Sequence, residues 1–288
     1  MKNVTIRTLA KMKREQTPIA MITAYDYPSS VLVEEAGADL ILVGDSLGMV
    51  VLGYDSTIPV TLEDMIHHTK AVTRGAKRAM VIADLPFLVA HLSRDEVLKA
   101  AGRLMQEAHA YGVKLEGGSE IIGQIQTLVQ AGVPVMAHLG LQPQSVNKLG
   151  GYLIQGKDPS SALHLVEEAK RVEAAGAFAL VLECVPEELA RQIRDEISIP
   201  VIGIGAGRYC DGQVLVFHDV LQMSGGNFKP SFVKTYADVG GLIKQGIRSY
   251  VEEVKGHQFP AEEHVSQLSS ETQQHLYGSG QKEKEGIS

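Results

Sequence analysis

The sequence of 288 residues has no tryptophan and only two cysteines, and it contains no long run of apolar residues. Cys184 and Cys210 are too few for a disulfide framework or for a zinc site made of cysteines alone. No apolar run approaches the roughly 20 residues that a membrane-spanning helix needs. The net charge of -7 lacks the basic excess of a surface that binds nucleic acids or anionic membranes. We therefore expect neither a membrane nor a nucleic-acid partner.

The amino terminus also lacks the features of a secretory signal. Residues 1–16 are basic and polar, and they contain no apolar core segment. Together with the small number of cysteines, this favours a cytoplasmic protein.

Glycine is abundant, with 29 residues, and many of the glycines belong to one recurring pattern. A helix-like stretch reaches a glycine, a short apolar run follows, and the run ends on a polar residue. The pattern occurs in residues 36–45, 74–84, 111–118, 131–140, 175–184 and, without the first glycine, 197–207. Glycine just past a helix end takes the left-handed conformation that satisfies the last carbonyls. Runs that are apolar on both faces are typical of parallel strands covered on both sides.

The number of these runs predicts the fold class. Helical patterns lie between them, at residues 61–73, 95–111 and 160–175, and further strands are expected near Met21 and at residues 214–217. About eight β-α units result, which favours an α/β (βα)8 barrel of the TIM type in a single domain. A doubly wound open sheet explains the same alternation and stays open as an alternative.

The carboxyl-terminal residues differ in composition from the rest of the chain. Residues 261–288 are rich in Glu, Gln, Ser, His and Lys and have few apolar side chains. Such a segment cannot bury enough apolar surface to order itself. We expect the barrel to span residues 1–260 and residues 261–288 to form a mobile polar tail.

Polar residues end the predicted strands, and in a barrel these ends meet at one mouth, where active sites lie. They are Tyr25 and Asp26, Asp45 and Ser46, Asp84, Lys114 and Glu116, His138, and Glu183. Carboxylates brought together without compensation repel one another, and a divalent cation is the simplest relief. Oxygen ligands indicate a hard ion such as Mg²⁺. We expect Asp45 and Asp84 to bind it directly and Glu116 to act through a bound water.

Glu183 ends the most apolar of the predicted strands. Its surroundings should be poorly hydrated, which makes a carboxylate a stronger base. The alternative is a purely structural glutamate that pairs with a nearby basic side chain.

The other candidates have structural interpretations too. Asp45 could cap the turn after its strand, and Asp84 could belong to an ordinary loop. Lys114 and Glu116 could form an ion pair at the rim, and His138 could be a satisfied core imidazole. Independent caps and ion pairs have no reason to recur at the same end of so many strands, and this recurrence favours a site.

Eight sequence blocks resemble the ketopantoate hydroxymethyltransferases. They cover about residues 3–260 and follow the order of the family. The blocks are ITAYDY (22–27), VGDSLGM (43–49), ADLPF (83–87), VKLEGG (113–118), HLGLQPQSVN (138–147), LVLECVP (180–186), PVIGIGAG (200–207) and DGQVLVFHD (211–219).

The resemblance implies both a fold and a reaction. The family is a (βα)8 barrel that transfers the methylene carbon of 5,10-methylenetetrahydrofolate to 3-methyl-2-oxobutanoate. The products are 2-dehydropantoate, a precursor of pantothenate, and tetrahydrofolate, and the reaction passes through an enolate stabilised by Mg²⁺. Members commonly assemble as homodecamers, so the resemblance also implies a homo-oligomer.

The resemblance also implies roles for individual residues. The Mg²⁺ site would consist of Asp45, Asp84 and Glu116. The residues in contact with the 2-oxo acid would be Asp45, Ser46, Asp84, Lys114 and His138, with the role of the last less defined. The proton acceptor would be Glu183.

Two other functions stay open. One is a related Mg²⁺-dependent barrel lyase or aldolase that acts on a 2-oxo acid without folate. The other is a binding or scaffold protein without catalytic activity. The carboxylates disfavour this alternative, because a cluster of carboxylates without a metal would only destabilise the fold. The transferase needs methylenetetrahydrofolate for turnover and the lyase does not, so this requirement would distinguish the two.

Overall fold

The computed structural model describes residues 3–151, 153–223 and 230–278, without the side chains of Lys148 and Leu149. Its parallel strands form a closed barrel in which each strand pairs with the next and β8 pairs with β1. The strands are β1 (Ile19–Thr23), β2 (Leu40–Val43), β3 (Met80–Asp84), β4 (Gly112–Glu116), β5 (Val135–Gly140), β6 (Ala179–Glu183), β7 (Val201–Ile204) and β8 (Gly212–Leu215). The closed barrel confirms the predicted fold class and excludes the open sheet.

Helices precede the barrel, connect its strands and follow it. The α-helices are α1 (Ile6–Arg14), α2 (Tyr27–Glu35), α3 (Leu47–Val50), α4 (Leu62–Gly75), α5 (Arg94–Gln106), α6 (Ile122–Gln130), α7 (Val146–Leu149), α8 (Pro159–Ala174), α9 (Glu187–Glu196), α10 (Phe217–Val220), α11 (Val239–Lys255) and α12 (Ser270–Tyr277). Single turns of 3-10 helix lie at Val89–His91, Ser119–Ile121, Pro143–Ser145 and Glu262–His264.

The glycine pattern predicts some helix ends and misses others. Gly37, Gly132 and Gly176 take positive φ angles just after their helices, as predicted. Gly75 instead closes α4 from within, and Gly112 begins β4. The expected helix over residues 95–111 stops at residue 106, because the chain turns back at His109, with φ +59°, and Ala110 N donates to Leu104 O. This bond and the one from His109 N to Met105 O satisfy two carbonyls of the last turn without a glycine.

Alternation along each strand separates two apolar clusters. In β2, Leu40 and Leu42 belong to one cluster, which other strands and α1 complete. Ile41 and Val43 belong to the other, which also contains residues of the connecting helices. Successive side chains of a strand point to opposite faces, so one set fills the barrel and the other binds the helices to it. Both faces are covered, which explains the continuous apolar runs in the sequence.

The chain divides into two compact units, Met1–Ala237 with the barrel and Asp238–Ser288. The second unit contains α11 and α12, and none of the residues of α11 is buried. Of the expected tail, residues 279–288 lie outside the described residues. The boundary after residue 260 and the mobility of the tail stay predictions. In the ranges that the structure describes, no helix has the length and apolar character needed to cross a bilayer.

Candidate active site

Polar side chains from the ends of β2 to β6 lie together at the carboxyl-terminal mouth of the barrel. The strand register sets them side by side: Asp84 is aligned with Lys114, and Glu116 with His138. All four are at most 4% exposed. So many buried polar groups in a row need partners, because an unpaired buried charge is very costly.

Asp45 and Asp84 form the acidic end of this row. The main-chain nitrogen of Asp45 donates to Oδ2 of Asp84 over 3.1 Å. Burial, followed by the charges of Asp84 and Glu116, raises the pKa of Asp45 well above its usual range. Burial also raises the pKa of Asp84, although Lys114 opposes this. The two carboxyl groups together therefore have less compensating positive charge than two ionised carboxylates need.

Lys114 supplies the positive charge in the middle of the row. Its Nζ lies 2.8 Å from Oδ1 of Asp84 and 3.7 Å from Oε1 of Glu116. Burial would lower the pKa of Lys114, but the surrounding carboxylates, Asp84 first, outweigh burial and raise this pKa above its usual range. Lys114 is therefore a cation at neutral pH, and it lies among three carboxyl groups.

His138 connects Glu116 to Glu183. Its Nδ1 lies 3.4 Å from Oε1 of Glu116, and its Nε2 lies 3.3 Å from Oε2 of Glu183. Burial and Lys114 act to lower the pKa of His138, but contacts with the two glutamates raise it to about 9. Burial would raise the pKa of Glu116, yet His138 and Lys114 outweigh it and lower this pKa. The raised pKa favours the protonated imidazole at neutral pH, and Nδ1 lies between Oε1 of Glu116 and Nζ of Lys114, which is 3.3 Å away.

Tyr25, Asp26 and Ser46 lie near the first two strands. The buried hydroxyl of Tyr25 is 2.8 Å from the Oγ of Ser46, which orients Ser46 at the mouth. Asp26 has a different place, because its carboxylate accepts from Ser29 N over 2.7 Å and caps α2. The strand-end pattern therefore includes one ordinary helix cap.

Gln144 is not part of the pattern of polar strand ends. It lies in the turn after β5, within the block HLGLQPQSVN, whose signal is the family resemblance. Its Nε2 donates to Oδ2 of Asp45 over 2.8 Å, and its main-chain nitrogen donates to Oε2 of Glu116 over 3.1 Å. No periodicity predicts this contact, because Gln144 and Asp45 are 99 positions apart.

The donor set fits a hard divalent cation. Asp45 and Asp84 are adjacent oxygen donors with raised pKa values, so a cation beside them would be stabilised by both. The described ranges contain no group of three or more His, Cys, Asp or Glu side chains arranged around a common metal position. Mg²⁺ needs only one or two protein carboxylates, because water and substrate oxygens complete its shell.

Comparison with known proteins supplies the family. A family model described as ketopantoate hydroxymethyltransferase matches residues 3–262. A 3-methyl-2-oxobutanoate hydroxymethyltransferase of Carboxydothermus hydrogenoformans is 57% identical, over 96% of this chain and 100% of the relative. One of Halalkalibacterium halodurans is 58% identical, over 95% and 98%. The chain belongs to the ketopantoate hydroxymethyltransferase family.

Solved structures similar to this ketopantoate hydroxymethyltransferase family member share its fold. One is a phosphonopyruvate hydrolase in complex with oxalate and Mg²⁺, with a TM-score of 0.59, 12% identity and coverage of 95% of both chains. Another is a 2,3-dimethylmalate lyase of the PEP mutase/isocitrate lyase superfamily, with a TM-score of 0.57 and 16% identity over 97% and 96%. At these identities, the similarity shows a common barrel.

In this family member, the purely structural interpretations of the candidates fit poorly. Among the described residues, the side chain of Asp45 accepts from Gln144 and makes no hydrogen bond that caps the turn after β2. Lys114 and Glu116 are buried in the mouth, so they are not a rim pair. His138 is buried, but its Nε2 makes no hydrogen bond among the described residues, so it is not a satisfied core imidazole. Their roles in catalysis stay predictions, and the geometry of the site is compatible with them.

Gly140, the last residue of β5, controls the position of the Glu183 backbone. Its φ is +90°, and an added Cβ would lie 2.3 Å from the carbonyl oxygen of Glu183 and 2.8 Å from Val185. We expect Gly140→Ala to lower the free energy of unfolding by roughly 2–5 kcal/mol, from backbone strain and overpacking. Urea unfolding measures this change.

Gly102 provides the matched control for this substitution. It lies inside α5 with nothing within 4 Å of an added Cβ. Gly102→Ala should raise the free energy of unfolding by about 0.5–1 kcal/mol, because alanine loses less backbone entropy in a helix. Equal effects of the two substitutions would contradict the role assigned to Gly140.

Cys184 and Cys210 are expected to react slowly as thiols. Burial is the main cause that raises the pKa of each to about 11. At pH 8 the thiolate fraction should be roughly a hundredfold below that of an unperturbed cysteine, and it should increase as the pH rises towards 11. Iodoacetamide labelling followed by mass spectrometry measures this; labelling as fast as that of glutathione at pH 8 would contradict it.

Proposed function

We propose that this chain transfers a hydroxymethyl group from 5,10-methylenetetrahydrofolate to 3-methyl-2-oxobutanoate, forming 2-dehydropantoate and tetrahydrofolate. The observation that carries the proposal is the buried row from Asp45 to Glu183 in a chain that matches the family from residue 3 to residue 262. The relatives named above are 3-methyl-2-oxobutanoate hydroxymethyltransferases, and they match over nearly their full length.

The proposed metal is Mg²⁺, held by Asp45 and Asp84, with Glu116 completing the site through a bound water. The adjacent carboxyl groups and their raised pKa values support this choice. The similar phosphonopyruvate hydrolase was solved with Mg²⁺ and oxalate. When bound, Mg²⁺ would supply a Lewis acid that draws electron density from the 2-oxo group and makes the C3 hydrogen more acidic.

The 2-oxo acid would lie against Asp45, Ser46, Asp84, Lys114 and His138. Lys114 is a buried cation at neutral pH, so it can offset the substrate carboxylate and the charge that develops on the 2-oxo oxygen. The raised pKa of His138 favours the imidazolium, and its Nε2, which makes no hydrogen bond among the described residues, can donate to an oxygen of the substrate. Ser46 is oriented by Tyr25 and can donate to a substrate oxygen as well.

Glu183 is the proposed base. Its side chain is 14% exposed and its carboxylate contacts His138, so it lies at the open side of the buried row. It would remove the proton from C3 of the substrate, and C3 would then form a bond to the methylene carbon of the folate. The two bonds from that carbon to the folate nitrogens break, a water molecule supplies the hydroxyl group, and tetrahydrofolate leaves. The proton that Glu183 removed and one proton of the water would go to the two folate nitrogens.

Further proposals rest on family membership. We propose a homo-oligomer, commonly a decamer in this family, and a cytoplasmic location. Sedimentation velocity of the purified chain would measure the assembly, and fractionation of the producing cell would measure the location.

Proton NMR of 3-methyl-2-oxobutanoate in D₂O tests the function. We expect the C3 proton signal to disappear with enzyme and Mg²⁺, but not with enzyme and a chelator. Addition of methylenetetrahydrofolate should then produce 2-dehydropantoate. Exchange without product would favour the lyase or another one-carbon donor. Folded protein that catalyses no exchange under any of these conditions would contradict the catalytic assignment.

A further inference from the structure

Gln144 is a buried polar residue whose contacts cross the mouth of the barrel. It lies in the 3-10 turn Pro143–Ser145 just after β5 and is 8% exposed. Its side chain reaches the loops after β2 and β3, and its main chain reaches the end of β4. One residue therefore connects four consecutive strand ends.

The side-chain amide of Gln144 has a defined orientation. Its Nε2 lies 2.8 Å from Oδ2 of Asp45 and 3.0 Å from the carbonyl oxygen of Leu85. Both partners are acceptors, so only the NH₂ end of the amide can face them, and both of its hydrogens are used. Reversal of the amide would place its oxygen against Oδ2 of Asp45 and the carbonyl oxygen of Leu85. These buried acceptors would then have no donor from Gln144.

The main chain of Gln144 makes the second contact. Its N–H donates to Oε2 of Glu116, while Oε1 of Glu116 faces Lys114 and His138. Gln144 therefore donates a hydrogen bond to one oxygen of each of two carboxylates. On Asp45 the acceptor is Oδ2, so Gln144 does not occupy Oδ1, which can contact another partner.

A neutral amide orients a carboxylate without compensating its charge. Gln144 thus differs from Lys114, which sits 2.8 Å from Asp84 and supplies charge. Groups that hydrogen-bond a metal ligand set its orientation, and their loss typically weakens metal binding by about 10–100-fold. The contacts of Gln144 are of this kind.

We propose that Gln144 is a positioning residue for the divalent cation: its side chain orients Asp45 to bind the ion, and its main-chain N–H orients Glu116 to bind it through a water. This inference rests on the proposed function, which supplies the cation. The side chain and the main chain can be separated, because a substitution at position 144 removes the contact with Asp45 and keeps the N–H that contacts Glu116.

Mn²⁺ binding to Gln144→Met tests the proposal. Methionine has nearly the same length as glutamine and no donors. Titration of Mn²⁺, followed by the EPR signal of the free ion and without either substrate, should give a dissociation constant at least about 10-fold above wild type. In C3 proton exchange, the Mn²⁺ concentration for half-maximal rate should rise by a similar factor. The rate at saturating Mn²⁺ should fall much less.

Gln142→Met is the matched control. Gln142 lies in the same loop, and its side chain contacts Ser145 at 3.4 Å. Its substitution should leave the Mn²⁺ dissociation constant within about twofold of wild type. Gln144→Asn is a second test that keeps the polarity but is one methylene too short to reach Asp45, and it carries the test if the methionine variant does not fold.

The outcomes separate this inference from the proposed function. Unchanged or tighter Mn²⁺ binding by the folded Gln144 variants would overturn the positioning role. A lower rate at saturating Mn²⁺ with unchanged Mn²⁺ affinity would also overturn it. If wild type binds Mn²⁺ and loses the C3 proton, the proposed function stands in either case. If wild type binds no Mn²⁺, the proposed metal site fails and the role of Gln144 fails with it.

Discussion

Replacing Glu183 by glutamine is expected to slow exchange of the C3 proton by about 10²- to 10⁴-fold, the contribution typical of a positioned general base. The amide cannot accept the proton, but its oxygen can still face Nε2 of His138, which lies 3.3 Å from the carboxylate. Binding of the metal and of the 2-oxo acid should therefore remain close to wild type. Proton NMR in D₂O measures the exchange, and calorimetry measures binding.

Glu188→Gln is the control for the loss of one negative charge at this end of the barrel. Glu188 is exposed in the first turn of α9, five positions after Glu183. Its variant should exchange the C3 proton at the wild-type rate. Exchange at that rate in Glu183→Gln would exclude Glu183 as the base, and parallel losses in both variants would indicate a general effect of charge.

Replacing Lys114 by methionine is expected to lower the free energy of unfolding by about 3–5 kcal/mol in the presence of a chelator. The substitution removes the ammonium group 2.8 Å from Asp84 and leaves Asp84, Asp45 and Glu116 buried without it. Urea unfolding measures the loss. C3 proton exchange should be lost as well, because no other lysine or arginine lies within 4.0 Å of these carboxylates in the described parts of the chain.

The loss of stability in Lys114→Met should depend on pH. Burial already raises the pKa of Asp84 in the folded protein, and removal of the lysine raises it further. A folded carboxyl group with a raised pKa binds more protons than the unfolded one, so stability falls as the pH rises from about 4 through the folded pKa. The variant should therefore be closest to wild type at acidic pH.

Two further variants control the Lys114 result. Lys70→Met breaks a half-exposed ion pair with Glu107 and should have a much smaller effect. Asp84→Asn in the Lys114→Met background should recover part of the lost stability, since it removes the uncompensated charge. Equal losses in Lys70→Met and Lys114→Met, or no recovery in the double variant, would contradict the role of the buried pair.

The β-α alternation could be predicted because its signals are local. The run at residues 40–43 is apolar at every position, as is typical of a parallel strand that is covered on both faces, and the structure buries all four residues. The polar ends of the strands were also predictable, because parallel strands place their carboxyl ends at one mouth. Boundaries were less accurate where a turn such as that at His109 replaced the expected glycine.

The sequence by itself therefore determined the alternation of parallel strands and helices, the end of the strands at which the site lies and, through family resemblance, the barrel and the candidate site residues. Only the tertiary structure decided which side chains touch. The register put Asp84 against Lys114, and the path of the turn after β5 brought Gln144 to Asp45. Contacts between residues so far apart in sequence, and the burial that shifts their pKa values, depend on how the strands close and the loops cross. No local pattern of residues contains that information.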